Sequence, residues 1–173
     1  MGLNHIYFGS GKGKTTAALG LALRAAGCGM TVLIVQFLKS SDTSELHSLT
    51  EIDGITVLRS DKRFGFTFNM TDEEKAELTE VNNDLLRQAQ TSLLSGKTGM
   101  LILDEFLDAY NLGFVDKALA DDTALRHYDN SELIITGRTP PERYIALYDY
   151  VSEICSVKHP FDKGIPARKG IEY

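Results

Sequence analysis

Short apolar runs alternate with longer, periodically apolar stretches along the chain. Leu3–Phe8 is a compact apolar run that stops at a glycine-rich turn, and Thr15–Ala26 is built almost wholly of good helix formers before Gly27. Thr31–Leu38 is rich in β-branched and apolar residues, the signature of a strand buried on both faces. Ile55–Leu58 is a weaker strand of the same kind. Thr71 and Glu74 stand at the spacing of a capping box, with Asp72 and Glu73 suited to the positive end of a helix. Leu78, Val81, Leu85, Ala89 and Leu93 then recur at helical spacing as far as Gly96. Gly99–Leu103 and Glu132–Thr136 are further buried strands, Pro140 and Pro141 suit a first helical turn running to Tyr148, and Tyr150–Val157 reads as a last strand. Strands separated by helices predict one α/β domain over residues 1–173, with a mostly parallel sheet flanked by helices on both faces.

Composition adds exclusions. The 173 residues are 43% hydrophobic and 24% charged, which fits a packed domain and rules out a wholly disordered chain. A formal charge of −6 lacks the broad basic footprint of a nucleic-acid binder. The sign reverses in the tail from Ser156 to Tyr173, where Lys158, Lys163, Arg168 and Lys169 outnumber Asp162 and Glu172, so this end suits an anionic small molecule or plain solvation. Two cysteines make no disulfide framework, and Cys155, between Ile154 and Val157, reads as a small buried hydrophobe. With no leader pattern and no apolar run of membrane length, the expectation is a cytoplasmic protein without membrane contact.

The sharpest chemical signal is Gly9-Ser10-Gly11-Lys12-Gly13-Lys14-Thr15-Thr16, placed directly after a strand and opening a helix. Glycines there let successive backbone N–H groups face phosphate oxygens at a positive helix end. Lys14 is positioned for terminal phosphates and the Thr15 hydroxyl for Mg²⁺. The usual spacing puts its first glycine at position 8, which is Phe8; the glycine has slipped to Gly9. Met100–Leu103 followed by Asp104-Glu105 is a Walker-B arrangement, with a carboxylate at the end of a neighbouring strand to orient Mg²⁺ beside Thr15. Together the two elements predict Mg-nucleotide binding.

Nucleotide binding does not name a reaction. Phe66 and Phe68 alternate in Gly65-Phe66-Thr67-Phe68, a pattern that serves either a core or the wall of a pocket. Arg138 follows the strand ending Ile135-Thr136-Gly137, at the sheet edge expected for the nucleotide, where it is either a polyphosphate clamp or a surface residue. Arg24, two to three turns into the first helix, reads equally as a plain surface residue. His159 reads as a hydrogen-bonding structural residue before a ligand.

These segments in this order, with Val35-Gln36-Phe37, Val157-Lys158-His159, Phe161-Asp162 and Gly170-Ile171-Glu172-Tyr173, resemble the CobA-type ATP:corrinoid adenosyltransferases over essentially the whole chain. The resemblance implies a RecA-like P-loop domain, usually a homodimer, that transfers the 5′-deoxyadenosyl group of ATP to the cobalt of a reduced corrinoid and releases triphosphate. It implies nucleotide binding by Gly9 to Thr16, Arg24 and Arg138. Lys14 and Arg138 stabilise the leaving triphosphate, and Thr15, Asp104 and Glu105 hold Mg²⁺. Phe66 and Phe68 form the aromatic pair that displaces the lower cobalt ligand, and a flavoprotein supplies electrons.

Two positions and the opening of the sequence depart from the family pattern: Ser10 stands for a common asparagine, Phe68 for tryptophan, and the sequence opens at the first strand rather than with an N-terminal helical extension. Two other readings compete. A small-molecule kinase on the same fold needs an arginine-rich lid, which is not evident. A non-catalytic nucleotide- or corrinoid-binding regulator has no need of Lys14, Thr15 and the Asp104-Glu105 pair together. Whether the acceptor is complete cobalamin or a precursor is not written in these motifs.

Overall fold

The computed structural model describes residues 2–39, 43–62, 64–65 and 69–172. Its centre is a six-stranded sheet built from β1 (Asn4–Phe8), β2 (Val32–Gln36), β3 (Ile55–Arg59), β4 (Met100–Asp104), β5 (Glu132–Gly137) and β6 (Tyr150–Glu153). The strand order is β3-β2-β4-β5-β1-β6 and every pairing is parallel. All strand carboxyl ends therefore lie along one edge, where ligands of open α/β sheets bind. One expectation needs correcting here. The Asp104 strand is not the neighbour of β1, because β5 is inserted between them. Apolar periodicity fixes which face a residue takes, not which strand lies beside which.

Alternate residues of each strand feed opposite faces. On one face Val32, Ile34, Met100, Ile102 and Ile134 pack against α1 (Lys14–Gly27) through Ala18, Ala22 and Ala25, and against Leu49 of α2 (Ser44–Leu49). On the other, Leu33, Val35, Leu101, Leu103, Leu133 and Ile135 meet α3 (Asp72–Leu94), α4 (Phe106–Leu112), α5 (Lys117–Ala124) and α6 (Glu142–Leu147). The capping box of α3 forms as its sequence predicts: the Thr71 hydroxyl accepts from the Glu74 N–H at 3.2 Å, and the Glu74 carboxylate accepts from the Thr71 N–H at 2.8 Å.

Helices α2, α4 and α5 were not among the expected elements, and two expected ones differ in their bounds. Helix α6 starts at Glu142, one residue after Pro141, whose extended ψ of 143° places it outside the helix. Strand β6 stops at Glu153 rather than Val157, because its one partner, β1, ends at Phe8 opposite it. Beyond it Cys155 is exposed, not buried. Among the described residues no helix is long and apolar enough to cross a membrane.

Candidate active site

Four strand ends converge at the carboxyl edge. Phe8 leads into the glycine loop, Gln36 into Phe37, Leu38 and Lys39, Asp104 into Glu105, and Gly137 into Arg138. The loop is shaped from outside. The Gly11 N–H donates to the Ile154 carbonyl at 2.7 Å, and the Ile154 N–H donates to the Phe8 carbonyl at 2.7 Å. A Cβ on Gly9, which sits at φ 116°, would fall 2.5 Å from the Ile154 carbonyl oxygen, and one on Gly11 2.7 Å from it. The slipped glycine thus has a steric reason: Phe8 is still strand, and residue 9 is where the last strand's backbone approaches.

Helix α1 opens at Lys14, whose ammonium donates to the carbonyls of Gly9 and Gly11, each at 2.8 Å. Burial lowers its pKa, aided by the Arg138 guanidinium and opposed by Asp108, Glu105 and Asp104. The next residue reaches inward. Thr15 Oγ1 donates to Asp104 Oδ1 at 2.9 Å, and Thr136 Oγ1 donates to the same oxygen at 2.8 Å. The Lys39 ammonium holds Asp104 Oδ2 at 2.7 Å, lies 3.3 Å from Thr15 Oγ1, and is 3.6 Å from Glu105 Oε1. Asp104 is only 1% exposed, so this charge is both buried and paired. Burial alone would lower the Lys39 pKa; Asp104 and Glu105 outweigh it and hold the ammonium above its usual range.

Glu105 has φ 60°, and the only other non-glycine residue with a positive φ among those described is Leu38, at 56°. Left-handed backbone costs a non-glycine residue on the order of 1–3 kcal/mol and gathers at functional sites. Here the two strained residues flank Lys39 and Asp104. The Glu105 N–H is secured by the Thr136 hydroxyl at 2.9 Å. Burial pushes the Glu105 carboxyl up, with Lys39 opposing and Asp104 and Asp108 adding to the rise. Burial likewise raises Asp108, against the Arg138 guanidinium and its backbone N–H.

Two cavities meet at this edge. One of about 720 Å³ is lined by the loop from Ser10 to Thr16 with Asp108, Arg138 and His159. The second, of about 660 Å³, is lined by Lys39, Thr43 and Glu45, and shares Lys12, Thr15 and Glu105 with the first.

Of the residues singled out in the sequence, Gly9 to Thr16, Asp104, Glu105 and Arg138 are brought together. Arg24 is not: it is exposed in the last turn of α1, and ten residues at 1.5 Å rise put it about 15 Å along the helix from Lys14. Phe66 and Phe68 lie outside the described residues. His159 behaves as its structural reading predicts, its Nδ1 accepting from the Phe161 N–H at 3.2 Å. Lys39, Asp108 and Thr136 escaped the sequence reading. A lysine three residues past a fully buried strand was the available signal for the first, and an Asp four residues after Asp104 for the second.

Comparison with known proteins gives a consistent result. The family model described as ATP:corrinoid adenosyltransferase BtuR/CobO/CobP matches residues 1–173. The corrinoid adenosyltransferase of Escherichia coli K12 is 34% identical over 99% of this chain and 86% of its own length. The corrinoid adenosyltransferase CobA of Salmonella typhimurium gives the same figures. That of Pseudomonas aeruginosa is 31% identical over 97% of this chain and 82% of its own. Among solved structures, EssC (ATPases 2 and 3) from Geobacillus thermodenitrificans superposes with a TM-score of 0.52 at 16% identity. It covers 98% of this chain and 35% of that one, a likeness of fold alone.

Proposed function

The chain belongs to the ATP:corrinoid adenosyltransferase family and is a transferase that moves the adenosyl group of ATP to a corrinoid; from that premise we propose how its own residues serve the reaction. Cobalt(I) of the reduced corrinoid attacks C5′ of ATP. The Co–C bond forms, the C5′–O5′ bond breaks, and its electron pair leaves on triphosphate. The largest demand on the protein is therefore negative charge growing on the leaving group, which fixed dipoles and cations stabilise best when they are in place beforehand.

The loop amides, Lys14 and Arg138 meet that demand. Lys14 is already held over the loop by two carbonyls, so little reorganisation is required. Thr15, Asp104 and Glu105 fit Mg²⁺: their side chains present hard oxygen donors that already converge on one cation, the Lys39 ammonium. Bound there, Mg²⁺ would supply charge neutralisation to the triphosphate. Phe66 and Phe68, by the family resemblance, wall off the lower face of the corrin ring and exclude an axial ligand, easing reduction to cobalt(I). A homodimer in the cytoplasm, served by a flavoprotein reductant, completes the reading.

The observation that carries it is the meeting of two cavities at Thr15 and Glu105, one lined by the loop and one beside it, as a reaction between two substrates requires. Anaerobic incubation with ATP, Mg²⁺ and cob(I)alamin tests it. Loss of the cobalt(I) spectrum with stoichiometric triphosphate is expected; ADP as the product would overturn the reading in favour of a kinase.

A further inference from the structure

We propose that Lys39 is a tethered cation that occupies the divalent-metal seat of the nucleotide-free protein and gives it up when the metal arrives. The proposal rests on reading Thr15, Asp104 and Glu105 as the metal's oxygen donors, but not on the identity of the reaction. Three distances carry it: the Lys39 ammonium lies 2.7 Å from Asp104 Oδ2, 3.3 Å from Thr15 Oγ1 and 3.6 Å from Glu105 Oε1. Mg²⁺ binds oxygen at roughly 2.0–2.1 Å. An ion that close to both Asp104 Oδ2 and Thr15 Oγ1 fills the space the ammonium holds, and two cations at such range repel strongly. Occupation by one excludes the other.

The backbone carrying Lys39 is fixed, so the ammonium is aimed rather than roaming. Phe37 is fully buried, its N–H donates to the Asp104 carbonyl at 3.0 Å, and its ring packs on Phe106 with centroids 5.7 Å apart. An Arg59 guanidinium N–H donates to the Lys39 carbonyl at 3.4 Å. Only the side chain needs to move, into the second cavity that it lines.

The arrangement keeps the buried Asp104 carboxylate paired in both states. It also couples metal to nucleotide. Metal alone must evict a lysine; metal arriving with a triphosphate brings further oxygen ligands and leaves the evicted ammonium beside new anionic partners. Free divalent cation therefore binds weakly, and the metal–nucleotide complex binds well.

Electron paramagnetic resonance of free Mn²⁺ measures this directly on the nucleotide-free full chain. Lys39→Met should bind Mn²⁺ about tenfold more tightly than the wild type, or better still, while Lys39→Arg stays close to it; equal affinity of Lys39→Met and wild type overturns the proposal. Should Lys39→Met fail to fold by circular dichroism, the wild type carries the test. Acylation of Lys39 by an N-hydroxysuccinimide acetate, read by mass spectrometry against exposed Lys163, should rise severalfold at saturating Mn²⁺, and unchanged labelling overturns exchange. Failures of the two readings separate cleanly. If Lys39→Met takes up Mn²⁺ with ATP but no more tightly than wild type without it, only the exchange is wrong. If neither protein retains Mn²⁺ on ultrafiltration with ATP, the readout for the arms with nucleotide because ATP itself chelates the free ion, the metal seat itself is wrong.

Discussion

The two faces of the sheet are packed by different means. One is covered by four helices that bury large side chains, with Leu86, Phe106, Leu107 and Tyr144 at 0% exposure. The other is covered by α1 through Ala18, Ala22 and Ala25, with Leu49 the one large buried helical side chain of its cluster among the described residues and Leu19 and Leu21 of α1 partly buried against it. Apolar area removed from water contributes roughly 25 cal/mol per Å², so the bulky face holds most of the stability. Alanines contribute little area but let a helix backbone lie close to the strands. It is α1, the closely seated helix, that carries Lys14 and Thr15 to within hydrogen-bonding reach of the loop carbonyls and Asp104. One face stabilises; the other positions.

That division can be broken by exchanging sizes between the faces. Leu86→Ala removes a fully buried side chain from α3 and should cost about 2–5 kcal/mol in urea unfolding, while ATP affinity of the folded protein by calorimetry stays unchanged. Ala22→Leu adds bulk under α1 and should cost about 1–3 kcal/mol. It should also weaken ATP binding, because the displaced helix takes Lys14 with it; unaltered affinity would show that helix depth does not set the loop. Thr71→Ala sharpens the contrast at its lower limit. Losing the capping hydroxyl of α3 should cost about 1 kcal/mol, lower the melting temperature slightly, and leave ATP affinity as it was.

Much of this was written in the sequence where local chemistry decides the outcome. The apolar run Val32–Gln36, the Thr71/Glu74 box and the glycine loop between a strand and a helix each announce themselves through neighbours within a few residues. What depends on distant partners did not show. The insertion of β5 between β1 and β4 is a matter of pairing, and pairing leaves no periodic trace. Tyr150–Val157 looks like one strand of eight residues, yet pairing with β1 ends at Glu153, and Cys155 is left in solvent by what lies outside its own segment. Helix α5 was the nearer miss, since Asp116 caps it through the Leu119 N–H at 2.8 Å, a spacing open to inspection. Arg24 shows the limit of a role carried over by resemblance: within this one chain it is an exposed residue in the last turn of α1, away from the loop. Lys39 was invisible because its importance lies in three oxygens drawn from two other segments of the chain.

The hold of Ile154 on the glycine loop has a consequence for how the molecule is made. Synthesis makes the loop well before the backbone that moulds it. Until Ile154 has been made and has folded against Phe8 and Gly11, a growing chain carries an unshaped anion cradle. Ended at Asp149 and released, the polypeptide should ignore ATP, and one carried on past Ile154 should regain that capacity.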